Sequence, residues 1–427
     1  MVDTGTAAAA GFLGMCMSLR RALGCLAALF VAAPLAWADA NHYVNVLVGE
    51  RAAGMAGAYV AVSDDASGMF YNPAGISFAR ETSLSASMNA YRLVRDEYDG
   101  RVLGGQGWER TSSSLLPNYF GLTHPLGAGV LGFSYAVPDS VSTDQDQVFE
   151  SLPASIPGVK VDRHRINFNE QDTLYLFGPS YGVELGPRLS VGLTLYAQRR
   201  TTEFILSQLV ELSDGRFQLS SRYLDVDEWG IRPMVGFMVA PTDRIALGVS
   251  VAHAWVLHSD ARSQVTLKPH DTNDVFEEVL DADDRRRYPY EVRFGVAVFP
   301  SQNWLISADA MYDSATRDPA FGDRRVTWNG AIGLEYYWSP SWAVRAGMFS
   351  DRANTPEVRN GGTDQMEHVD RYGASLSLTR FRRGASLTFG VIYARGKGEA
   401  QLVGGATDIQ DVTETSITAF LAASYRN

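Results

Sequence analysis

Two histidines, His253 and His258, are the first candidates for chemistry, because imidazole can bind a metal ion or transfer a proton. They lie five positions apart in a stretch where apolar and polar residues alternate. Residues separated by an odd number face opposite sides of a β-sheet, so this pair does not share an ion. The sequence also contains no nucleophile elbow, glycine-rich phosphate loop or zinc-binding spacing. We therefore expect no catalytic residues, no metal, no cofactor and no enzymatic activity.

The N-terminus has the features of a secretory signal peptide. Two arginines precede a short apolar run, and Ala36-Trp37-Ala38 provides a small-x-small cleavage site. We expect residues 1–38 to be removed. If translation begins at Met17, residues 1–16 are an over-long gene start. Both cysteines, Cys16 and Cys25, lie in this leader. The mature chain then has no cysteine, which excludes thiol catalysis and disulfides.

From about residue 82 onward, apolar and polar residues alternate in short stretches that turn residues separate. In one of them, Leu189, Val191, Leu193 and Leu195 alternate with small or polar residues. A period of two is typical of a β-strand with one apolar and one polar face. The mean hydropathy of -0.10 agrees with strands that expose only alternate residues to lipid.

The connections between these stretches are of two kinds. Short ones such as Ser339-Pro340-Ser341 are tight turns, whereas long polar ones cover about 139–170 and 261–286. Outer-membrane barrels show this asymmetry, with the short turns in the periplasm. We therefore predict an all-β fold, a transmembrane antiparallel β-barrel of about fourteen strands over 82–427. The excess of 48 acidic over 37 basic residues argues against nucleic acid as a partner.

Residues 39–81 precede the first strand and show no sustained alternation. They contain a glycine- and alanine-rich stretch that begins at Gly49, followed by Asp64-Asp65-Ala66 and Asn72-Pro73-Ala74. In this order, the segment resembles the N-terminal hatch of the FadL/TodX family, which are outer-membrane transporters of long-chain fatty acids and hydrocarbons. The rest of the chain matches that family in architecture only. The resemblance implies that 39–81 is a plug in the lumen of the barrel.

The same resemblance implies passive uptake of hydrophobic or amphipathic molecules, which pass the hatch and leave sideways through a kinked wall strand. Because proline removes a ladder hydrogen bond, we expect the kink at Pro179 or Pro233. The hatch residues that we expect to take part in gating are Gly54, Gly57, Asp64, Asp65, Asn72, Pro73 and Ala74. Two alternatives stay open: a secretion or assembly partner that binds protein, and a general diffusion porin.

Two further sets of residues are candidates for contact with cargo. The resemblance implies a ligand-capture groove in the outer loops, and the third loop, about 200–217, is unusually apolar. Its candidates are Phe204, Ile205, Leu206, Leu209 and Val210, unless the fifth and sixth strands simply extend beyond the membrane. Predicted lumen-lining residues are Met234, Met238, Met311, Phe349, Arg232 and Arg345. This mixture of apolar and charged residues suits an amphipathic ligand.

The expected surroundings follow from the predicted barrel. We expect an integral protein of a bacterial outer membrane, present as a monomer and inserted by the barrel-assembly machinery. Its expected partners are outer-membrane lipid, lipopolysaccharide and a hydrophobic small-molecule ligand.

Overall fold

The computed structural model describes residues 41–100, 106–153, 158–362, 365–401 and 409–427. The predicted signal peptide over 1–38 therefore lies outside the described residues. Within these ranges, no helix is both long and apolar enough to cross a membrane.

The described residues form sixteen antiparallel strands in one sheet, which closes into a barrel because β1 pairs with both β2 and β16. The strands are β1 (Ser83–Tyr98), β2 (Trp108–Leu126), β3 (Gly129–Pro153), β4 (Lys160–Gly186), β5 (Leu189–Leu212), β6 (Phe217–Thr242), β7 (Ile245–His253), β8 (Trp255–Lys268), β9 (Phe276–Ala282), β10 (Tyr290–Ser301), β11 (Trp304–Asp313), β12 (Thr327–Ser339), β13 (Trp342–Asp351), β14 (His368–Arg382), β15 (Ala385–Ala400) and β16 (Gln410–Arg426).

Two positions in the wall are each shared by two strands. β6 pairs with β7 through its C-terminal part and with β8 through its N-terminal part. The next wall position is divided in the same way, since β10 pairs with β7 and β9 pairs with β8. The sixteen strands of the described residues therefore occupy fourteen wall positions, which confirms the predicted barrel.

The outer surface of the barrel is apolar between two girdles of aromatic residues. Outward side chains such as Ile332 and Met348 are 62% and 70% exposed. Near one end, the rings of Trp338 and Trp342 stack with centroids 5.8 Å apart. Several rings form the opposite girdle, including Trp328. An apolar band between aromatic girdles is typical of a membrane-spanning barrel.

The two ends of the barrel differ in their connections. Two-residue turns such as Pro187–Arg188, between β4 and β5, lie at the end where the pair Ser83–Arg426 joins the first and last strands. Short turns and chain ends are typical of the periplasmic side. At the other end, the predicted loop over 139–170 was wrong. β3 and β4 are paired almost throughout this region, because strands may continue with polar residues once they leave the lipid.

Three short helices lie inside the barrel rather than in its wall. They are α1 (Glu50–Gly54), α2 (Gly68–Tyr71) and the 3-10 helix η1 (Gly75–Phe78). Together with the connecting residues they bury apolar side chains such as Met55, Tyr59 and Ile76 against inward residues of the wall. A second apolar cluster, which includes Trp108 and Phe204, fills the lumen toward the extracellular end.

Candidate functional site

The segment before the first strand consists of a strap, residues 41–47, and a plug body, residues 48–79. The plug body lies directly against wall glycines, whose lack of a side chain leaves room for its backbone. At Gly192 a Cβ would lie only 2.2 Å from the backbone of Pro73, so no other residue fits without displacement. The other members of this glycine belt are Gly182 and Gly236, which pair with Gly192 in the ladder, and Gly248, Gly295, Gly333 and Gly347. The belt seats the plug body around more than half of the wall.

Two polar side chains fix the plug body on this belt. The Oδ2 atom of Asp309 accepts hydrogen bonds from the backbone N–H groups of Tyr59 at 2.6 Å and Val60 at 2.8 Å. The side-chain amide of Asn72 donates to the carbonyl of Val60 at 2.9 Å and to that of Phe237 in β6 at 3.0 Å. Since buried backbone groups need partners, these bonds fix both the conformation of the plug body and its position in the lumen.

An ionic network holds the periplasmic face of the plug body. Arg51 forms two hydrogen bonds to Glu335 of β12, at 2.7 and 2.8 Å, and pairs with Asp64 at 2.5 Å. Arg345 of β13 also bonds to Glu335, which is fully buried. Glu50 accepts hydrogen bonds from two wall hydroxyls. Removing one member of such a buried group leaves uncompensated charge, which makes the network a strong anchor.

All seven residues predicted to take part in gating lie in the plug body. A Cβ at Gly54 would lie 2.3 Å from the hydroxyl of Ser377, and Gly57 has a φ of 85°, which favours glycine. Asp65 accepts a hydrogen bond from the backbone N–H of Ser67 at 2.8 Å, just before α2. Asp64 and Asn72 make the ionic and wall contacts described above, and the backbones of Pro73 and Ala74 lie against Gly192. These contacts position the plug body, and the gating role of the seven residues stays a prediction.

The wall is interrupted between β2 and β3. Their ladder ends at the pair Tyr119–Ala136, although both strands continue beyond this pair within the described residues. Pro117 and Pro138 lie close beyond the last pair, one on each strand, and proline has no N–H to donate. The register of β3 with β4 also shifts here, between Ala136 and Asp139. Within the described residues, β2 and β3 therefore continue past this point without pairing with each other.

The two prolines that we predicted as weak points do not shift the register of the wall. Pro179 is paired with Phe133, and the ladder of β4 with β5 lacks pairs at Gly178 and Pro179 but keeps one register on both sides of them. Pro233 is paired with Leu195 in the continuous ladder of β5 and β6. A single missing N–H is tolerated where the flanking pairs hold the register, whereas two prolines facing each other across one ladder end it.

The strap covers the interruption from inside the lumen. The backbone N–H groups of Asn45 and Val46 both donate to the carbonyl of Pro138, at 3.1 and 3.0 Å. The side-chain oxygen of Asn45 accepts from the N–H of Ser140 at 3.0 Å, and Arg92 of β1 donates to the Ser140 carbonyl at 2.8 Å. Polar groups of β3 that lack a partner on β2 thus find one on the strap.

The strap also forms one side of a cavity of about 90 Å³. Its lining includes strap residues 43–47 and inward side chains of several wall strands. Leu47, Phe349 and Ile392 pack together at the apolar part of the lining. The strap is therefore the element that separates this cavity from the interruption in the wall.

The prediction that residues 204–210 lie in a loop was wrong, because they lie in β5, whereas their role in ligand capture stays a prediction. Apolar and polar residues keep alternating up to Leu212, and β5 stays paired with β4 and β6 over this whole length. Phe204 and Leu206 are buried in the apolar cluster at the extracellular end of the lumen. Ile205, Leu209 and Val210 are half-buried. The alternative that the fifth and sixth strands extend beyond the membrane is the correct one.

The six predicted lumen-lining residues divide into three groups. Met234 and Met238 are buried inside the barrel, and Met311 and Phe349 line the cavity beside the strap. Arg232 and Arg345 are each paired with a wall carboxylate, Arg232 with Glu291 through two bonds of 3.0 and 2.6 Å, and Arg345 with Glu335. Each of these two arginines is therefore neutralised by a glutamate of the wall.

Sequence reasoning missed the features that join the plug to the wall. No pattern in the sequence marked Asp309 as a contact of the plug body or Asn45 as a contact of β3. The glycine belt did leave a signal, because glycine recurs at inward positions of adjacent strands, where polar side chains are expected. Gly182, Gly192 and Gly236 are an example.

Comparison with models of protein families finds no match, and comparison with curated proteins finds none. Solved structures do match. A FadL homologue from Pseudomonas aeruginosa superposes with a TM-score of 0.64 at 16% identity, covering 90% of this chain and 99% of that chain. The toluene transporter TodX of P. putida gives 0.65 at 14% identity, covering 91% and 99%. The toluene transporter TbuX of Ralstonia pickettii gives 0.57 at 15% identity, covering 90% and 99%. At this level of identity, the matches establish that the fold is the predicted FadL-type barrel.

Proposed function

We propose that the protein is an outer-membrane channel for passive uptake of hydrophobic or amphipathic small molecules. The observation that carries this proposal is the position of the strap between a partly apolar cavity and an interruption in the wall. An open diffusion porin has no need of a plug that is seated on a glycine belt. The solved structures of similar fold include transporters of toluene, which agrees with a hydrophobic cargo.

The proposed route has three stages. Cargo enters from the extracellular end, occupies the cavity against Leu47 and Phe349, and leaves through the interruption between β2 and β3. The last stage requires Asn45 and Val46 to release Pro138, after which the cargo reaches the hydrocarbon of the bilayer. Leu115, on β2 beside the interruption, is 65% exposed and gives the opening an apolar rim. This route avoids expulsion of the plug body.

The direct test is to lock the strap. A chain with Asn45→Cys and Ser140→Cys would be joined by a short, reducible thiol cross-linker, with the leader cysteines absent from the mature protein. Uptake of a radiolabelled hydrocarbon and uptake of a radiolabelled fatty acid would be measured separately, in cells that lack the native gene and express this variant. Whichever solute the wild type takes up should enter at least about tenfold more slowly after cross-linking, which corresponds to about 1.4 kcal/mol in barrier height. Reduction should restore the rate.

The matched controls are the two single-cysteine variants, treated with the same reagent. They carry the modification without the bridge, so their uptake should not fall below that of the wild type. Unchanged uptake in the bridged protein would exclude the proposed exit. Equal uptake of both solutes by cells with and without the gene would exclude the proposed function itself.

Several statements about the surroundings of the barrel belong to the same proposal. We propose cleavage of the signal peptide after Ala38, insertion by the barrel-assembly machinery, a monomeric barrel and contact with lipopolysaccharide. A plugged monomer predicts little steady conductance in planar bilayers, whereas the porin alternative predicts a large and steady one. The protein-binding alternative predicts instead a specific partner in pull-down experiments.

A further inference from the structure

The charged side chains around the cavity are equal in number but are not all paired with a group of opposite charge. Arg92, Arg293 and Arg371 line it together with Glu291, Asp313 and Asp351. Equal numbers of cations and carboxylates suggest a neutral lining, but the pairing of the individual groups decides what the cavity can bind.

Each of the three arginines already has acceptors. Arg371 bonds to Asp351 at 2.5 Å and to Glu414 at 3.0 Å. Arg293 lies 3.5 Å from Glu291 and donates to the carbonyl of Phe70. Arg92 donates to the carbonyl of Ser140 and to the side chain of Asn45. A carboxylate on the cargo would have to displace one of these internal partners, and the displaced group would then be buried without compensation.

Asp313 is the exception on the acidic side. It is only 8% exposed, and no cationic nitrogen of the described residues lies within 4.0 Å of it. Its Oδ2 atom accepts a hydrogen bond from the hydroxyl of Thr327 at 3.1 Å. No hydrogen bond reaches its Oδ1 atom from the described residues, although a carboxylate oxygen is a strong acceptor. Glu291 is directly opposite Asp313 in the ladder, but Arg232 holds both of its oxygens.

A hydroxyl of the strap confirms that this corner of the lining is polar and incompletely satisfied. The Tyr43 hydroxyl is buried and has no hydrogen-bond partner in the part of the chain that the structure describes. Burial is the main cause that raises the pKa of the Tyr43 phenol, and the negative charge of Asp313 raises it further. The phenol therefore stays protonated and can donate a hydrogen bond. Asp313 and Tyr43 thus offer one acceptor and one donor beside the apolar part of the cavity.

We propose that the cavity binds a small neutral molecule that carries a hydroxyl group, such as a phenol or a short alcohol. The hydroxyl donates to Oδ1 of Asp313, and the hydrocarbon part lies against Leu47, Phe349 and Ile392. This inference rests on the proposed uptake function and names its class of cargo. A phenol is uncharged at pH 7, since phenolic groups titrate near pH 10.

The size of the cavity agrees with a guest of this kind. Its volume is about 90 Å³. An apolar cavity of about 150 Å³ accepts benzene, and one water molecule takes about 30 Å³ in the liquid. A single ring therefore requires only a small outward shift of the strap, whereas a long acyl chain requires the whole strap to leave.

The test compares three ligands that share one ring and one methyl group. They are p-cresol with a hydroxyl, toluene with no polar group, and 4-methylbenzoate with a carboxylate. Binding to the full-length mature protein in nanodiscs would be measured by equilibrium dialysis. We expect p-cresol to bind at least about tenfold more tightly than toluene, and 4-methylbenzoate to bind most weakly.

Variants of residues that line the cavity test whether the preference for p-cresol arises there. Asp313→Asn keeps the size of the side chain but replaces its carboxyl group with an amide, so the preference for p-cresol should fall to about threefold or less, because hydrogen bonds to an ionised carboxylate are about twice as strong as neutral ones. Its affinity for 4-methylbenzoate should rise, since the amide can donate. Asp227→Asn is the matched control, because Asp227 is 41% exposed and pairs with Arg199 away from this lining. Ala394→Leu fills part of the cavity and should weaken binding of all three ligands.

The possible outcomes separate this inference from the uptake function. Toluene binding as tightly as p-cresol, or 4-methylbenzoate binding most tightly, would overturn the hydroxyl proposal and leave uptake of hydrophobic molecules intact. A preference that survives Asp313→Asn would also overturn it. If Ala394→Leu changes the binding of none of the three, the cavity is not the binding site, and both the inference and the proposed route are lost.

Discussion

The strap and the plug body are neighbours in one short segment, yet the barrel holds them in different ways. The plug body is seated on a belt of wall glycines and fixed by Asp309 and by the buried ionic network at Glu335. The strap has no such seat. Its bonds to β3 converge on Pro138 and Ser140, and one of its sides faces a cavity. We infer that closing the barrel and releasing cargo are tasks of different parts of the plug.

The difference follows from the chemistry of the contacts. A single buried hydrogen bond contributes about 0.5–1.5 kcal/mol, so the bonds between strap and β3 represent a few kcal/mol at most. The plug body adds close packing against backbone and several charge-assisted bonds, which are the stronger kind. We therefore expect the strap to open more often than the plug body, although His42 of the strap also bonds to Asp351 at 3.0 Å. The comparison makes predictions that can be ordered by their size.

The largest effect is expected at the ionic network of the plug body. Glu335→Gln leaves Arg51 and Arg345 buried and facing each other without their shared carboxylate. Loss of one member of a buried ionic group costs about 3–5 kcal/mol. The free energy of unfolding should fall by that amount in a denaturant titration followed by the heat-modifiable mobility of the barrel.

The control for this variant is an exposed ion pair. Glu357→Gln removes the partner of Arg325, a pair in which the two side chains are 68% and 45% exposed. Exposed pairs contribute less than about 1 kcal/mol, so the titration should scarcely change. Equal losses in the two variants would mean that the network does not anchor the plug body.

A smaller effect is expected at the glycine belt. Gly192→Ala places a Cβ where the backbone of Pro73 lies, and the plug body must shift to accommodate it. Overpacking of this kind costs about 1–3 kcal/mol. We expect a measurable loss of stability together with new conductance in planar bilayers, because a shifted plug no longer seals the lumen. Gly186→Ala is the control, since a Cβ there meets nothing within 4 Å. Conductance that is equally low in both variants would show that the belt is not needed for closure.

The parts of this molecule that the sequence predicted are those that local patterns encode. Alternation with a period of two appears within a single strand such as β5, and two-residue turns such as Pro187–Arg188 carry their own residue preferences. The predicted number of about fourteen strands, which matches the fourteen wall positions, followed from these patterns alone. The plug was predicted through resemblance, because its glycines and its Asn72-Pro73-Ala74 sequence have no periodicity that a strand would impose.

The errors arose where distant residues decide the structure. The stretch 139–170 has the polar composition of a loop, but β3 and β4 remain strands because each provides the ladder partner of the other. Pro179 and Pro138 look alike in the sequence. Only the neighbouring strand distinguishes them, because the ladder of β2 with β3 ends before it reaches Pro117 and Pro138, whereas Pro179 is paired with Phe133. The hydrogen bond from the Ser140 N–H to the side chain of Asn45 could not be predicted either, because almost a hundred residues separate the two positions in the sequence.

The smallest effect, and the sharpest test of the comparison, is expected at the strap itself. Asn45→Ala removes the acceptor of the Ser140 N–H, which costs about 0.5–1.5 kcal/mol at that site. Global stability should hardly change, but amide hydrogen exchange of residues 137–142 should accelerate by up to about tenfold, the factor that corresponds to 1.4 kcal/mol. Exchange in the plug body at 58–72 should stay the same, and Asn303→Ala, in an exposed periplasmic turn, should alter neither region. If exchange at 58–72 accelerates together with that at 137–142, the strap and the plug body open as one unit, and release of cargo would then require the whole plug to move.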